Sequence, residues 1–306
     1  MKLTNKNNLP IQFVNAVNTD YKPTPHQYSV TTVLNSIRQT ILQRRHTDEI
    51  EDDVSNQIWA ILGTAFHNLL ENSKESENEL KEEYLKQELS ILDESLKNFY
   101  LSGKADLFNE KEKKIIDFKT TSSFKFLIKD FEDYRLQLLM YAWLFKQLGF
   151  EVNEGEIIAI LRDWQKSKAK YDSEYPQLQV QKVNFKFNDK DFKYIEGFIK
   201  NKFLELKKYE DVEDDELPLC TEEERWAEPT KYAIKKKANK TASKLHETLE
   251  EAQEHLKNLE EKYPNIYEIE VRPGSDRKCS EYCNACKFCK YWKDNYLKAD
   301  ENNEIR

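Results

Sequence analysis

Two carboxylates and a lysine occupy a part of the sequence that otherwise has the pattern of buried β-strands. Asp106 lies near the end of one predicted strand, and Asp117 and Lys119 lie in the next. Because residues two apart in a strand point to one face, Asp117 and Lys119 can converge on one point, which Asp106 can reach from the neighbouring strand. A buried carboxylate is costly without a partner, so the pattern indicates a bound cation.

Two carboxylates with an adjacent backbone carbonyl form an oxygen-rich site that suits Mg²⁺ or Mn²⁺. Such an ion lowers the pKa of a bound water and neutralises charge on a phosphate, while Lys119 orients or helps to deprotonate the water and stabilises negative charge. This chemistry predicts hydrolysis of a phosphodiester. The alternative is that Asp106 lies in a turn and that Asp117 and Lys119 form a half-exposed ion pair, the common case for an isolated Asp-x-Lys.

The helix predicted before these strands, over residues 54–72, has a polar face. Gly63, His67 and Glu71 lie four apart and share this face, so His67 can point toward the strands. The apolar residues of the helix form another stripe, predicted to pack elsewhere, which consists of Ile58, Leu62, Ala65 and Leu69. An imidazole ligand would favour Mn²⁺ over Mg²⁺, and the alternative is a structural or solvated histidine.

A second polar pair lies in the helix predicted over residues 132–148. Gln137 and Tyr141 are four apart, so they can offer an amide and a phenol to the same cleft. The alternative for this pair is an ordinary amphipathic helix.

The elements that position these residues follow from hydrophobic periodicity. Helices are predicted over about 32–45, 54–72, 132–148 and 191–210, and strands over 83–92, 95–108, 113–120, 155–164 and 177–187. This order predicts an α/β core with a central mixed β-sheet flanked by helices. The predicted organisation is an N-terminal arm over 1–27, a core over 28–210 and a helical, cysteine-containing C-terminal extension over 211–306, with a helix over 243–262.

The charge distribution limits the classes of function. A net charge of −8 over 306 residues argues against nonspecific adhesion to nucleic acid by the whole surface. A local basic segment over 231–244 offers a path along a DNA backbone through Lys235, Lys236, Lys237 and Lys240, and the alternative is the solvated face of a helix. No signal peptide or bilayer-length apolar run is evident, so the sequence predicts a cytoplasmic protein that contacts no membrane.

Four short motifs resemble those of the RecB-like branch of the PD-(D/E)XK nuclease superfamily, in the same order. They are GTAFH at 63–67, GKAD at 103–106, DFK at 117–119 and QLLMY at 137–141. The segments YSVTTVL at 28–34, DFKTTSS at 117–123, AILRDW at 159–164 and LCTEEERW at 219–226 make the chain more similar to phage-encoded exonucleases, and the resemblance covers 28–292. Ala105 precedes Asp106 where the superfamily name has proline.

The resemblance implies a restriction-endonuclease-like fold and a metal-dependent deoxyribonuclease. It implies that His67, Asp106 and Asp117 bind the catalytic Mg²⁺ or Mn²⁺. It also implies that Lys119 serves the attacking water.

The same resemblance implies that Gln137 and Tyr141 contact the substrate. The expected activity is exonucleolytic hydrolysis at linear or single-stranded DNA ends in phage recombination or replication, in the host cytoplasm and with proteins of those pathways as partners. Two alternatives are a noncatalytic DNA-end-binding or assembly factor on the same fold, and an endonuclease for structured DNA.

Five cysteines indicate a metal centre or cluster, because a disulfide framework is not expected in a reducing compartment and four of the five lie between residues 279 and 289. The resemblance implies a structural [4Fe-4S] cluster, with Zn²⁺ as the alternative, held by Cys220, Cys279, Cys283 and Cys289. In the family the isolated cysteine precedes the nuclease core, whereas Cys220 follows it. Cys286 is an alternative ligand, since the four cysteines from 279 to 289 could serve without Cys220.

Overall fold

The computed structural model describes residues 2–17, 22–74 and 78–297, and the chain divides into two compact units, residues 1–213 and 214–306. The strands of the first unit are β1 (Lys2–Thr4), β2 (Gln27–Ser29), β3 (Glu51–Asp53), β4 (Glu79–Glu88), β5 (Tyr100–Asn109), β6 (Lys114–Thr121), β7 (Glu154–Leu161) and β8 (Val180–Lys186). Its helices are α1 (Ile11–Val17), α2 (Val30–Val33), α3 (Ile37–Arg45), α4 (Ile58–Glu71), α5 (Ser123–Ile128), α6 (Glu132–Gln147), α7 (Lys166–Tyr171) and α8 (Asp189–Tyr209). None of the helices in the described ranges combines the length and apolar character of a membrane span.

A six-stranded sheet lies at the centre of the first unit, in the order β2-β5-β6-β7-β8 with β4 also paired to β5. The pairs β2 with β5 and β6 with β7 are parallel, whereas β4 with β5, β5 with β6 and β7 with β8 are antiparallel. Helices α4 and α6 both contact β6. The predicted α/β core with a mixed central sheet and flanking helices is confirmed.

Helix α6 is the most enclosed helix of this unit. All its residues from 137 to 145 are buried, and it contacts α8 as well as the sheet. A helix that is apolar on nearly every side lies inside a protein. Its buried position brings Gln137 and Tyr141 into the core beside β5 and β6.

The helix predicted over 32–45 is wrong as a single element, because the chain begins a helix twice. The Ser29 hydroxyl accepts a hydrogen bond from the Thr32 N–H, and the Ser36 hydroxyl accepts one from the Gln39 N–H. Each serine is an N-cap, so α2 and α3 form as separate helices.

The predicted packing of α4 is also wrong. The residues of its apolar stripe are all exposed, Leu69 by 74%: Ile58, Leu62, Ala65 and Leu69. The face turned toward the sheet instead carries Phe66, whose ring packs edge to face on Phe118 of β6 with centroids 6.2 Å apart. Periodicity shows which residues share a face, but packing decides which face is covered.

The strands predicted over 83–92 and 95–108 are shifted in the structure. Between β4 and β5 the chain forms the 3₁₀ turns Leu89–Ile91 and Glu94–Leu96, in which Leu89 and Leu96 are fully buried. These leucines extended the apolar alternation in the sequence, although their side chains fill the core from turns.

Residues assigned to the N-terminal arm contain β1 and α1. Strand β1 pairs in parallel with β3, in the register Leu3 with Asp52. The Asp53 side chain accepts hydrogen bonds from the Lys6 N–H and the Thr4 hydroxyl, which attaches this segment to the turn before α4.

The second unit contains a separate sheet in the order β11-β10-β12 and a short pair of β9 with β13. Its elements are α9 (Glu222–Arg225), β9 (Ala227–Glu228), β10 (Lys231–Lys236), β11 (Ala242–His246), α10 (Leu249–Glu260), β12 (Tyr267–Arg272), β13 (Ser275–Asp276) and α11 (Lys290–Trp292). The lysine-rich segment is therefore an antiparallel pair of strands and not a helix. The helix predicted over 243–262 begins only at Leu249, since residues 242–246 pair with β10 instead.

We expect Gly103→Ala to destabilise the protein. A Cβ atom at residue 103 would lie 2.6 Å from Tyr141 Cε1 and 3.1 Å from Val30 Cγ2, so the packed aromatic ring would have to move. Overpacking of this kind costs about 1–3 kcal/mol. The free energy of unfolding, from urea denaturation, measures the effect.

The matched control is Gly197→Ala in the middle of α8, where a Cβ atom meets nothing within 4 Å. This substitution is expected to stabilise the protein by about 0.5–1 kcal/mol, because alanine is the better helix former. Equal effects of the two substitutions would contradict the close contact at Gly103.

Candidate active site

The strands β5 and β6 bring Asp106 and Asp117 to the same row of the sheet. Their ladder ends at Leu107 with Ile116, so the next position in this register sets Asp106 opposite Asp117. At that position the Asp106 Oδ2 atom accepts a hydrogen bond of 2.7 Å from the Phe118 N–H, in place of a backbone ladder bond. The two predicted carboxylates are therefore direct neighbours.

Asp117 is almost fully enclosed, with 2% of its surface exposed. Its Oδ1 atom accepts a hydrogen bond of 2.9 Å from Gln137 Nε2 of α6. Its Oδ2 atom is buried without a well-aligned hydrogen bond, although Lys119 Nζ lies 2.7 Å away and forms an ion pair with it. Burial raises the pKa of Asp117 to about 6 against the opposing charge of Lys119.

Lys119 is a cation in this site. Burial by itself lowers the pKa of Lys119, but the Asp117 carboxylate and then Asp106 outweigh it, so the net pKa is raised. At neutral pH the amine is protonated and serves as a positive charge or proton donor. The sequence-based interpretation that Lys119 helps to deprotonate a water needs a prior loss of this proton.

His67 approaches the carboxylates from α4. Its Nδ1 atom lies 3.3 Å from Asp106 Oδ1. The hydrogen bond to Asp106 raises the pKa of His67, in opposition to the effect of burial. The polar face predicted for this helix thus reaches the strands through His67.

Glu82 of β4 is a site residue that sequence reasoning missed. His67, Glu82 and Asp106 each offer one potential ligand atom, and these three atoms lie within 4.8 Å of one another. In the described part of the chain, no other set of His, Cys, Asp or Glu residues meets this criterion. Asp117 lies outside this group because its oxygens face Gln137 and Lys119. The run KEEYLKQE offers several glutamates, and no spacing within it distinguishes Glu82.

Gln137 and Tyr141 lie in the core beside the carboxylates. Gln137 contacts Asp117, and the Tyr141 ring fills the space left by the missing side chain of Gly103. Burial raises the pKa of Tyr141, and the negative charges of Asp117 and Asp106 raise it further, so the phenol stays neutral. Both side chains are buried, at 6% and 5% exposure.

Comparison with protein families decides the class of this site. The model of the PD-(D/E)XK nuclease superfamily matches residues 83–292, more than two thirds of the chain. The chain belongs to the PD-(D/E)XK nuclease superfamily. The matched region includes Asp106, Asp117 and Lys119 but begins after His67 and Glu82.

Two solved structures are similar to this chain at low identity. The crystal structure of SSO0001 is 17% identical with a TM-score of 0.44, over 63% of this chain and 82% of that one. The structure of a phage-related exonuclease from Haemophilus somnus 129PT is 13% identical with a TM-score of 0.27, over 57% and 74%. No curated protein sequence matches the chain.

Membership in the superfamily implies a nuclease that acts on DNA with a divalent metal ion. The donor set fits such an ion, because carboxylate oxygens and one imidazole nitrogen are ligands of hard and borderline divalent cations. The Oδ2 atom of Asp117 is already approached by Lys119 Nζ at 2.7 Å, so it gives no separate indication of a metal ion. The residues positioned to hold such an ion are His67 and Asp106, with Asp117 next to Asp106 in the sheet.

The five cysteines lie in the second unit, within the described residues, and form no disulfide there. Burial is the main reason why the pKa of Cys279 is raised to about 12. The charges of Asp276, Cys220, Cys283 and Cys289 add to this effect. Burial raises the pKa of Cys283 to about 11, and the charge of Cys286 raises it further. No three of these sulfur atoms meet within 4.8 Å in the described residues.

The predicted DNA-binding lysines differ in their surroundings. Lys235 Nζ lies 2.6 Å from Glu270 and 3.4 Å from Glu268 on the neighbouring strand β12, so its charge is already balanced. Lys236 lies over the Tyr267 ring at 5.9 Å. Lys237, which donates a hydrogen bond to Asn265, and Lys240 are exposed in the turn after β10.

Binding of Mn²⁺ is expected to strengthen as the pH rises through about 6. The carboxyl of Asp117 has a pKa of about 6, and the pKa of His67 is raised. Both groups must lose their protons before they bind a cation, so protons compete with the metal at lower pH. Calorimetric titration of the metal-free protein measures the affinity for Mn²⁺. Below the pKa, this affinity should fall about tenfold per pH unit for every proton that the metal displaces.

Asp117→Asn is the control for this pH dependence, because the amide carries no titrating proton. Its affinity should be lower than that of the unsubstituted protein at neutral pH and should vary less between about pH 5 and pH 7.5. A constant affinity of the unsubstituted protein over this range would contradict the pKa assignments.

Proposed function

We propose that this protein is a divalent-metal-dependent DNA exonuclease of the RecB-like branch, which hydrolyses phosphodiester bonds at DNA ends in phage recombination or replication. The observation that carries the proposal is the arrangement of Asp106, Asp117 and Lys119, with two carboxylates opposite each other and an ammonium 2.7 Å from the second. A noncatalytic binding protein has no need to keep a buried carboxylate beside a half-buried lysine, because the desolvation of the charges is costly.

The residues of the site divide the work of hydrolysis. A bound divalent ion supplies Lewis acidity and an activated water. Asp106 and Asp117 would hold the ion, and Gln137 orients Asp117 by its hydrogen bond to Oδ1. Lys119, protonated at neutral pH, stabilises the negative charge that develops on the scissile phosphate.

Lys119→Met is expected to abolish cleavage while it keeps the fold and DNA binding. Methionine replaces the apolar part of the half-buried side chain but removes the ammonium group. Loss of one such stabilising group lowers the rate about 10²–10³-fold. The assay follows end-labelled single- and double-stranded linear DNA with Mg²⁺ or Mn²⁺, with and without a chelator. Circular dichroism and a DNA-binding titration establish that the variant is folded and binds.

Lys182→Met is the matched control. Lys182 is an exposed lysine of β8 that forms an ion pair with Glu156 of the same sheet. This variant should cleave at the unsubstituted rate. Full activity of Lys119→Met would remove the proposed mechanism, and no chelator-sensitive cleavage by the unsubstituted protein would favour a DNA-end-binding factor. Cleavage of closed circular DNA would favour an endonuclease.

For the second unit we propose a structural [4Fe-4S] cluster held by Cys220, Cys279, Cys283 and Cys289, with Zn²⁺ as the alternative metal. The support is that Cys220, Cys283 and Cys289 all raise the pKa of the Cys279 thiol. Cys286 raises the pKa of Cys283, so it stays the alternative ligand. Thiols with raised pKa values release their protons when a metal binds. We also propose that the lysines at 235, 236, 237 and 240 contact the DNA backbone.

Analysis of iron, sulfide and zinc in the purified protein tests the proposed cluster. Cys279→Ser should lose the metal and lower the melting temperature, since a structural metal contributes directly to folding. Cys286→Ser should keep both metal content and stability. Loss of metal in Cys286→Ser with retention in Cys220→Ser would instead identify the local quartet as the ligands.

A further inference from the structure

We propose that Glu82 is a ligand of the divalent metal ion in the nuclease site. The inference rests on the proposed function, because it concerns the ion that this function requires. Glu82 precedes the region that matches the superfamily model, so its role comes from the geometry of this chain.

The register of the sheet places Glu82 directly opposite Asp106. Strands β4 and β5 pair Lys81 with Leu107 and Glu83 with Ala105, so the position between them sets Glu82 against Asp106. This position is skipped in the ladder, and Glu82 has a φ of 53°, in the left-handed region that is unfavourable for a side chain of its type. The fold thus holds Glu82 in a disfavoured conformation beside another carboxylate.

Asp106 is the middle member of a row of three carboxylates. Glu82 faces it from β4 and Asp117 faces it from β6 at the next position in the register. Like charges directly opposite each other on neighbouring strands repel. A divalent cation between Asp106 and Glu82 removes the repulsion of this pair, whereas Lys119 compensates the charge of Asp117.

The surroundings of Glu82 provide both a nitrogen ligand and space. The ligand atoms of His67, Glu82 and Asp106 lie within 4.8 Å of one another. A cavity of about 110 Å³ adjoins Glu82, Asp106 and Phe118. Because a liquid water occupies about 30 Å³, this cavity has room for an ion with a few of its waters. Two carboxylates and an imidazole suit Mn²⁺ in particular.

Lys104 competes with the metal for Glu82. Its Nζ atom lies 2.6 Å from Glu82 Oε2 and 3.5 Å from Glu71 Oε1. The lysine side chain is 49% exposed, whereas that of Glu82 is 13% exposed. A half-exposed ion pair of this kind is weak, so a divalent cation can displace the lysine from the carboxylate while Lys104 keeps Glu71 as its partner.

The test is calorimetric titration of the full-length, metal-free protein with Mn²⁺ in the absence of DNA. Glu82→Gln, which keeps the size of the side chain, is expected to weaken Mn²⁺ binding at least about tenfold. Glu82→Asp keeps the charge but shortens the side chain, so it should also bind more weakly. The control Glu83→Gln changes the adjacent exposed glutamate and should bind as the unsubstituted protein does.

A double-mutant cycle with Lys104 distinguishes ligation from a general effect of charge. Lys104→Met should tighten Mn²⁺ binding when Glu82 is present, and this gain should disappear in the Glu82→Gln background. If Glu82 serves only as the ion-pair partner of Lys104, removal of the lysine has the same effect in both backgrounds. That result, or Mn²⁺ binding by Glu82→Gln within about twofold of the unsubstituted protein, would overturn the proposal.

Cleavage assays on the same proteins separate this proposal from the proposed function. If the unsubstituted protein binds Mn²⁺ but does not cut DNA, the proposed function fails while the comparison of Glu82 variants still decides the ligand. If it cuts DNA and Glu82→Gln binds Mn²⁺ normally, only the ligand assignment fails. The supporting result is a shift of Glu82→Gln cleavage to higher Mn²⁺ concentration.

Discussion

Repulsion among carboxylates on neighbouring strands is the constraint on which the nuclease site depends. Asp106 lies between Asp117 on β6 and Glu82 on β4, where the β4–β5 ladder skips one pair and the β5–β6 ladder ends. Positive groups compensate from both ends, with Lys119 beside Asp117 and Lys104 beside Glu82. Burial is the main cause of the raised pKa of Asp117, Lys119 opposes it, and the charge of Asp106 raises the pKa further.

The buried helix α6 keeps this charged row in place. Gln137 donates its amide hydrogen to Asp117, and the ring of Tyr141 packs where Gly103 has no side chain. Gly103 of β5 and Tyr141 of α6 therefore pack as one unit, because the absence of a side chain at Gly103 leaves space for the phenol ring. Because α6 is enclosed on nearly all sides, it can hold Asp117 more firmly than an exposed helix could.

In the second unit the ionisable groups that lie close together and half-buried are cysteine thiols instead of carboxyl groups. Burial and mutual repulsion raise the pKa values of Cys279 and Cys283 to about 12 and about 11, so these thiols stay protonated in the absence of a metal. Neutral thiols need no counter-charge, whereas a thiolate formed at this position would be unfavourable without a nearby cation. Lys235 differs from the other lysines of its segment, since Glu268 and Glu270 already balance its charge.

Local sequence determined the elements and the residues of the site that recur at fixed spacing. The periods of β6 and α6 predicted a strand with Asp117 and Lys119 on one face and a helix that presents Gln137 and Tyr141, because two and nearly four residues are the repeats of those elements. The mixed sheet followed from the order of the elements. The serines that divide α2 from α3 are also local signals, although the helical period alone did not separate them.

Only the tertiary structure decided which faces and which neighbours meet. The stripe of Ile58 and Leu62 is as apolar as a core face, yet the opposite face of α4 packs on Phe118, because the fit of Phe66 and Gly63 against the sheet determines the docking. Glu82 became a site residue through its cross-strand position opposite Asp106. Strand register is a long-range property, so no spacing along the chain could have distinguished Glu82 from the glutamates around it.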